Sequence, residues 1–221
     1  MHIPDGLMDP VVWLAGFVVT LPILALAFRR LAKGTREEQI PLMAVLAAGI
    51  FAAQMLNFPI VGGTTGHFLG AAFVSILLGL LPTTLVMTVV VVVQCLFFGD
   101  GGITALGLNL VNMAFVAPVV SWAVCRPPQR GASRPAMFTA AWLSVFVSAL
   151  LVALELSISF WLSNGVYGVT PLVSFPAMIG YYSVIGIGEG IITVGIWTFV
   201  SRVAPELARA GEASMEAEHE A

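Results

Sequence analysis

Charge is scarce in this chain. Nine Lys and Arg and twelve Asp and Glu make up 10% of its 221 residues, and 59% are hydrophobic. A soluble domain carries about 25% charged residues. Together with a mean hydropathy of +0.99, this excludes a water-soluble globule. Lysine is almost missing. Lys33, in Ala32-Lys33-Gly34-Thr35, is the single one, so the Gly-x-x-x-x-Gly-Lys-[Ser/Thr] phosphate loop does not occur. The chain cannot bind ATP by that device, and any ATP-driven work must be done on other chains. The two cysteines, Cys95 and Cys125, lie inside apolar runs and read as inert packing rather than a disulfide or a thiolate metal site. No His-Glu-x-x-His, serine elbow or Cys-x-x-Cys occurs. The sequence therefore suggests no enzyme, no resident cofactor and no nucleic-acid partner.

What is present is a series of apolar runs, near residues 10–28, 40–58, 67–81, 82–98, 103–125, 136–162 and 175–201. A helix needs roughly 20 such residues to cross a hydrocarbon core, and the third and fourth runs are short, joined at Leu81-Pro82 in an expected helical hairpin. The fold class that follows is all-α, a polytopic transmembrane bundle of seven helices in a lipid bilayer. Pro59 is expected to stop the second helix. The nine basic residues are Arg29, Arg30, Lys33, Arg36, Arg126, Arg130, Arg134, Arg202 and Arg209. With seven spans and the N-terminus outside, all nine fall on the cytoplasmic side, as the positive-inside rule requires. Residues 1–203 then form one membrane domain, and 204–221 an acidic cytoplasmic tail expected to be disordered.

The chain opens Met1-His2-Ile3-Pro4-Asp5-Gly6. These residues do not read as a signal peptide, and a bulky second residue is expected to keep the amine on Met1. That amine, the His2 amide nitrogen and the His2 imidazole can close a five-membered and then a six-membered chelate ring on one metal ion. Ni²⁺ and Co²⁺ suit such an array. One more nitrogen would complete a plane. Of the other two histidines, His219 lies in the acidic tail. His67 ends the run Asn57-Phe58-Pro59-Ile60-Val61-Gly62-Gly63-Thr64-Thr65-Gly66-His67, on the same side as His2. Such a loop cannot face lipid with its backbone unpaired, so it is expected to line a cavity, with His67 beginning the third helix. Either histidine alone would be a cap or a frayed terminus. As a pair they point to metal, with Met1, His2 and His67 as the ligating residues.

The hexapeptide, the loop from Asn57 to Gly70, Gln94 through Phe98-Gly99-Asp100-Gly101-Gly102, and Gly107-Leu108-Asn109 resemble the NikM/CbiM family, the substrate-binding S components of energy-coupling-factor (ECF) transporters for nickel and cobalt. The resemblance runs to about Arg202. It implies four nitrogens on the metal, mapping onto the Met1 amine, the His2 amide, the His2 imidazole and the His67 imidazole, and an N-terminal loop, residues 1–9, dipping into the pocket. It also implies a transmembrane coupling (T) subunit, ABC-type ATPase subunits, a small accessory membrane subunit, and residence in the inner membrane of a bacterial or archaeal cell. The Gly-Gly-Thr-Thr-Gly-His loop is closer to nickel-type than to cobalt-type members. One departure stands out: where the family often carries a histidine before Ile185-Gly186-Ile187-Gly188-Glu189, this chain has tyrosine in Gly180-Tyr181-Tyr182-Ser183-Val184.

Other polar residues in the apolar runs read more plainly. Glu155 is expected to be a strut between helices. Glu189 is equally a strut or the lining of a polar path. Asn57, Gln94, Asn109 and Asn112 read as interhelical hydrogen-bonding groups that can also steady the ligands, and Asp100 as a turn residue. Ala44, Ala48 and Ala52 form a small-residue ridge whose commoner use is packing inside the bundle; the family resemblance instead points it at the coupling subunit. A stand-alone carrier for a small organic solute and a bis-histidine haem protein are the alternatives. The first should show inverted repeats, and none is convincing; the second would need the histidine pair already assigned to the metal.

Overall fold

The computed structural model describes residues 1–34, 39–125 and 133–209. Helix α1 (Pro10–Gly34) begins on Asp9, whose Oδ1 accepts the N–H of Val11 at 2.8 Å. Helix α2 (Gln39–Gln54) leads into a two-stranded antiparallel ribbon, β1 (Phe58–Ile60) and β2 (Thr64–Gly66), with Phe58 opposite Gly66 and Ile60 opposite Thr64. Gly62 and Gly63 make its turn with φ of 102° and 85°, values that favour glycine. Helix α3 (Ala71–Leu78) and helix α4 (Leu80–Val93) follow, and α4 widens into a π-turn over Gln94–Phe98. Helix α5 (Leu106–Leu110), a π-turn (Val111–Val116) and helix α6 (Ala117–Val124) form one rod. Helices α7 (Arg134–Leu162) and α8 (Pro171–Val203) complete the bundle.

Five of these stretches are long and apolar enough to cross a membrane: Pro10–Ala32, Leu80–Phe98, Leu106–Val124, Arg134–Leu162 and Pro171–Val203. The chain is a multi-pass membrane protein. The sequence pattern gave seven spans, and two of them shrink. Helix α2 has 16 residues, about 24 Å at 1.5 Å per residue, because the chain is drawn off into the ribbon ahead of Pro59. Helix α3 has eight residues, all buried. It is cut short by Gly70 and Gly79, with φ of 76° and 85°, and sits inside the bundle rather than against lipid. His67 therefore does not begin a helix; it lies in the irregular stretch 67–70 that leads from β2 to α3. The fold is helical with one β-ribbon, and that ribbon carries the His67 loop.

Close helix contacts fix the two ends of the bundle. Helix α1 crosses α5 backbone to backbone: a Cβ on Gly107 would stand 2.6 Å from the Phe17 nitrogen, and Thr20 Oγ1 donates to the Gly107 carbonyl at 2.7 Å. Ser159 near the end of α7 accepts the Asp9 N–H at 2.6 Å, so α1 starts where α7 ends. Arg29 and Arg30 at the far end of α1, Arg134 at the start of α7 and Arg202 at the end of α8 consequently gather at the end opposite residues 1–9. Residues 205–209 add one helical turn beyond α8, where the pattern suggested a tail. Lys33 contributes backbone only to this description, and Arg36, Arg126, Arg130, His219 and the rest of the acidic end lie outside the described residues. Ala44, Ala48 and Ala52 face outward, so the ridge is not used for packing inside the bundle.

Candidate metal centre

Residues 1–9 run into the open end of the bundle, and Met1, His2 and Ile3 are buried there. Backbone pairing holds them. Asn109 accepts the Ile3 N–H on Oδ1 at 2.9 Å and returns Nδ2 to the Ile3 carbonyl at 3.1 Å; that carbonyl also accepts the Gly102 N–H at 2.8 Å. Asp5 accepts the N–H groups of Ile103 and Thr104 at 3.0 and 2.8 Å and the Thr104 hydroxyl at 2.6 Å, and its pKa is lowered chiefly by that hydroxyl. The glycines of the 99–102 loop follow from this fit. A Cβ on Gly101 would reach 3.2 Å from His2 Cδ2, and one on Gly102 would press on Asp5 Oδ1 at 2.6 Å and the Pro4 carbonyl carbon at 2.7 Å.

Thr65, on β2, is the hub. Its carbonyl accepts the Met1 amine and, at 2.8 Å, the Tyr182 hydroxyl. Its Oγ1 lies 3.2 Å from both the Met1 amine and the His2 amide nitrogen. The His2 and His67 rings are stacked with centroids 4.7 Å apart and planes at 29°. His2 Nε2 lies 3.2 Å from Gln94 Oε1, while its Nδ1 faces Asp100 Oδ1 at 3.3 Å and Thr65 Oγ1 at 3.5 Å. Nδ1 is the nitrogen through which a six-membered chelate ring would close. His67 Nδ1–H donates to the Phe68 carbonyl at 2.8 Å, and its buried Nε2 has no hydrogen-bond partner.

The electrostatics keep these nitrogens unprotonated. Burial is the main cause in each case. It pushes the Met1 amine well below 8.0, against the pull of Asp100. It pushes His2 down to about 3, helped by the amine and opposed by the Gln94 bond. It pushes His67 well below 6.5, helped by the amine and by His2 and opposed by the Phe68 bond. Asp100 Oδ1 comes within 3.3 Å of His2 Nδ1. With His2 neutral this is no ion pair, and the carboxylate lies beside the nitrogen that a chelate would use. Asp100 accepts from Asn57 Nδ2 at 2.7 Å, and burial raises its pKa against the pull of the amine.

Met1, His2 and His67 thus converge in one pocket. Among the described residues no three His, Cys, Asp or Glu side chains form a ligand cluster. Asp100, read from sequence as a turn residue, stands beside His2 instead. Of the four amides, Asn57, Gln94 and Asn109 support the pocket, while Asn112 donates to Glu155 at 2.8 Å deeper in the bundle, as a strut would. Tyr182 reaches the Thr65 carbonyl. Cys95 and Cys125 are free and buried. Thr65 and Asp5 were missed by sequence reasoning. The one signal for Thr65 was its place two residues before His67 in a glycine-rich run.

Comparison with known proteins shows the family to which the chain belongs. Residues 2–207 match the family model for the cobalt uptake substrate-specific transmembrane region (CbiM). A Haloquadratum walsbyi protein named for metal transport is 45% identical over 94% of this chain and 93% of its own length. The fused nickel transport protein NikMN of Rhodobacter capsulatus is 37% identical over 94% of this chain, which spans 63% of that longer protein. A crystal structure of a truncated transition metal transporter superposes with a TM-score of 0.85 at 32% identity, covering 91% of this chain and 99% of the other. The S component of a bacterial ECF transporter shares the fold, with a TM-score of 0.57 at 16% identity over 75% of this chain and 96% of its own.

Proposed function

The chain belongs to the CbiM family of nickel and cobalt transport proteins, and from that premise we propose that it captures Ni²⁺ or Co²⁺ in a planar set of four nitrogens: the Met1 amine, the His2 amide, His2 Nδ1 and His67 Nε2. The observation that carries this reading is the burial of the Met1 amine and both histidine rings together, with the rings 4.7 Å apart and His67 Nε2 left without a hydrogen-bond partner while Phe68 holds the proton on its other nitrogen. The His2 amide must lose its proton on binding, and d⁸ or d⁷ ions that favour nitrogen ligation drive that loss.

The pocket end faces outside and the arginine-bearing end faces the cytoplasm of a bacterial or archaeal cell. The ion enters from outside and is released inward, the chain acting as S component of an ATP-driven ECF transporter. A coupling subunit and ABC-type ATPase subunits, with a small accessory membrane subunit, supply what this chain lacks. The absent phosphate loop and the S-component fold support that division of labour, and the exposed ridge of Ala44, Ala48 and Ala52 offers a surface for close helix approach. Nickel is the first ion to test, because the fused relative is named for it.

The experiment is a nickel titration by calorimetry on detergent-purified protein, with His2→Ala, His67→Ala and a form whose terminal amine is acetylated. Each change should abolish stoichiometric binding. Undiminished binding in any of them rejects the four-nitrogen site.

A further inference from the structure

Glu189 is a fully buried carboxylate in the middle of α8, and neither the chelate nor the ribbon needs it as a ligand. Its oxygens accept the N–H of Leu69, through Oε1, and the N–H of Gly70, at 3.1 and 3.3 Å from Oε1 and Oε2. These two amides belong to the irregular stretch that begins with His67. The next residue, Ala71, starts α3. The carboxylate therefore stands at the positive end of a helix as well as on two donors, the environment that best supports a buried anion. The opposite side of the stretch is held by Gln54, whose Nε2 donates to the Leu69 carbonyl at 2.7 Å.

The same face of α8 touches the ribbon twice more. Tyr182 donates to Thr65, and Met178 Sδ accepts from Thr64 Oγ1 at 3.6 Å. Helix α8 is itself seated firmly on α7. A Cβ on Gly186 would strike the Trp142 ring at 2.7 Å, Gly190 lies against the Phe138 ring, and Trp142 Nε1 donates to the Ser183 carbonyl at 3.0 Å. His67 fixes its own tautomer through the carbonyl of Phe68, the residue between it and the amides Glu189 holds. Any shift of the 68–70 backbone moves both the ring and the acceptor that orients it.

We propose that Glu189 is a positioning residue for the metal centre: bound to the Leu69 and Gly70 amides, it sets the 67–70 backbone so that His67 Nε2 completes the nitrogen set. The proposal rests on the four-nitrogen reading above. A glutamine in its place keeps an oxygen at Oε1 but turns an NH₂ toward the Gly70 N–H, where Oε2 accepts at 3.3 Å, so one of the three contacts becomes donor against donor. Asp and Glu are rare and costly in membrane helices. Glu189 acts on the backbone segment that places His67.

The test compares wild type, Glu189→Gln and His67→Ala in nickel titrations and in the visible d–d spectrum of the nickel-saturated protein. Glu189→Gln should bind nickel about 10- to 100-fold more weakly, the usual effect of removing a group that orients a ligand. Its saturated spectrum should move toward that of a site short of one nitrogen. Glu189→Asp keeps the charge and should recover part of both. If Glu189→Gln does not yield monodisperse protein, Glu189→Asp alone decides, by a weakened affinity with an altered spectrum. A variant that melts earlier but keeps wild-type affinity and spectrum would make Glu189 a strut and overturn the proposal. Wild-type binding by His67→Ala would instead sink the site itself, whatever Glu189→Gln does.

Discussion

Nε2 of His2 lies 3.2 Å from Oε1 of Gln94, a contact that orients the ring with Nδ1 toward Asp100 and Thr65. Gln94 is the first residue of the π-turn that ends the α4 rod. π-turns of this kind recur at functional sites because the extra residue re-aims a side chain. Gln94→Met keeps the volume but removes the acceptor. We expect nickel affinity to fall by about 10-fold or more, while Gln94→Glu, which still accepts, stays nearer to wild type. Calorimetric titration of the two variants checks this; equal affinities would show that the ring is oriented by something else.

Tyr182 offers a second test. Its hydroxyl gives one hydrogen bond, to the carbonyl that also receives the Met1 amine. A net bond of this kind contributes about 1 kcal/mol, so Tyr182→Phe should weaken nickel binding roughly fivefold if the whole of it bears on the loaded site. Phenylalanine fills the same buried space, so the melting temperature should change little. Wild-type affinity in Tyr182→Phe would mean that the tyrosine only fills volume beside Thr65.

The legible part of the centre was legible because histidine is so rare. Two imidazoles on one side of a chain with three in all stand out against apolar helices, whereas Thr65 and Asp100 are common turn residues and carry no such contrast. The ribbon escaped notice because its three-residue strands are too short to show a period of two. The span at 67–81 was overread for a different reason. Its apolar character is continuous, but Gly70 and Gly79 adopt left-handed φ and confine the helix between them. Neither π-turn leaves a mark in composition, since only the hydrogen-bond register changes. The link from Glu189 to the His67 loop joins residues about 120 apart, and only the fold displays it.

The close packing of the N-terminal segment on the 99–102 loop can be broken without touching a ligand. An added Cβ at Gly102 meets Asp5 and the backbone of Pro4, neither of which can withdraw while Ile3 stays paired to Gly102 and Asn109. Gly102→Ala should therefore lift residues 1–5 from the pocket. Hydrogen exchange at the amides of Ile3 and Thr104 should accelerate, and nickel affinity should drop by at least tenfold although Met1, His2 and His67 are intact. Unchanged exchange with weakened binding would place the effect elsewhere.

Acidification should act on the metal-free protein before any metal is added. The Met1 amine, His2 and His67 all have folded-state pKa values below their ordinary ones of 8.0, 6.5 and 6.5. Above those ordinary values neither the folded nor the unfolded chain holds the protons, and nothing is lost. As pH falls below 8 and then below 6.5, the unfolded chain takes up protons that the buried groups refuse, so stability decreases. For His2, with a folded value of about 3, the loss is roughly 2 kcal/mol by pH 5 and ends only near pH 3. Asp100 works the other way: its raised value returns some stability as the carboxyl protonates at lower pH. The net expectation is a melting temperature, measured in detergent on metal-free protein, that falls steadily from pH 8 to pH 5. His67→Ala should flatten that slope between pH 6.5 and 5, because one of the refusing groups is gone. A pH-independent melting temperature over this range would show that these nitrogens are open to water in the metal-free state.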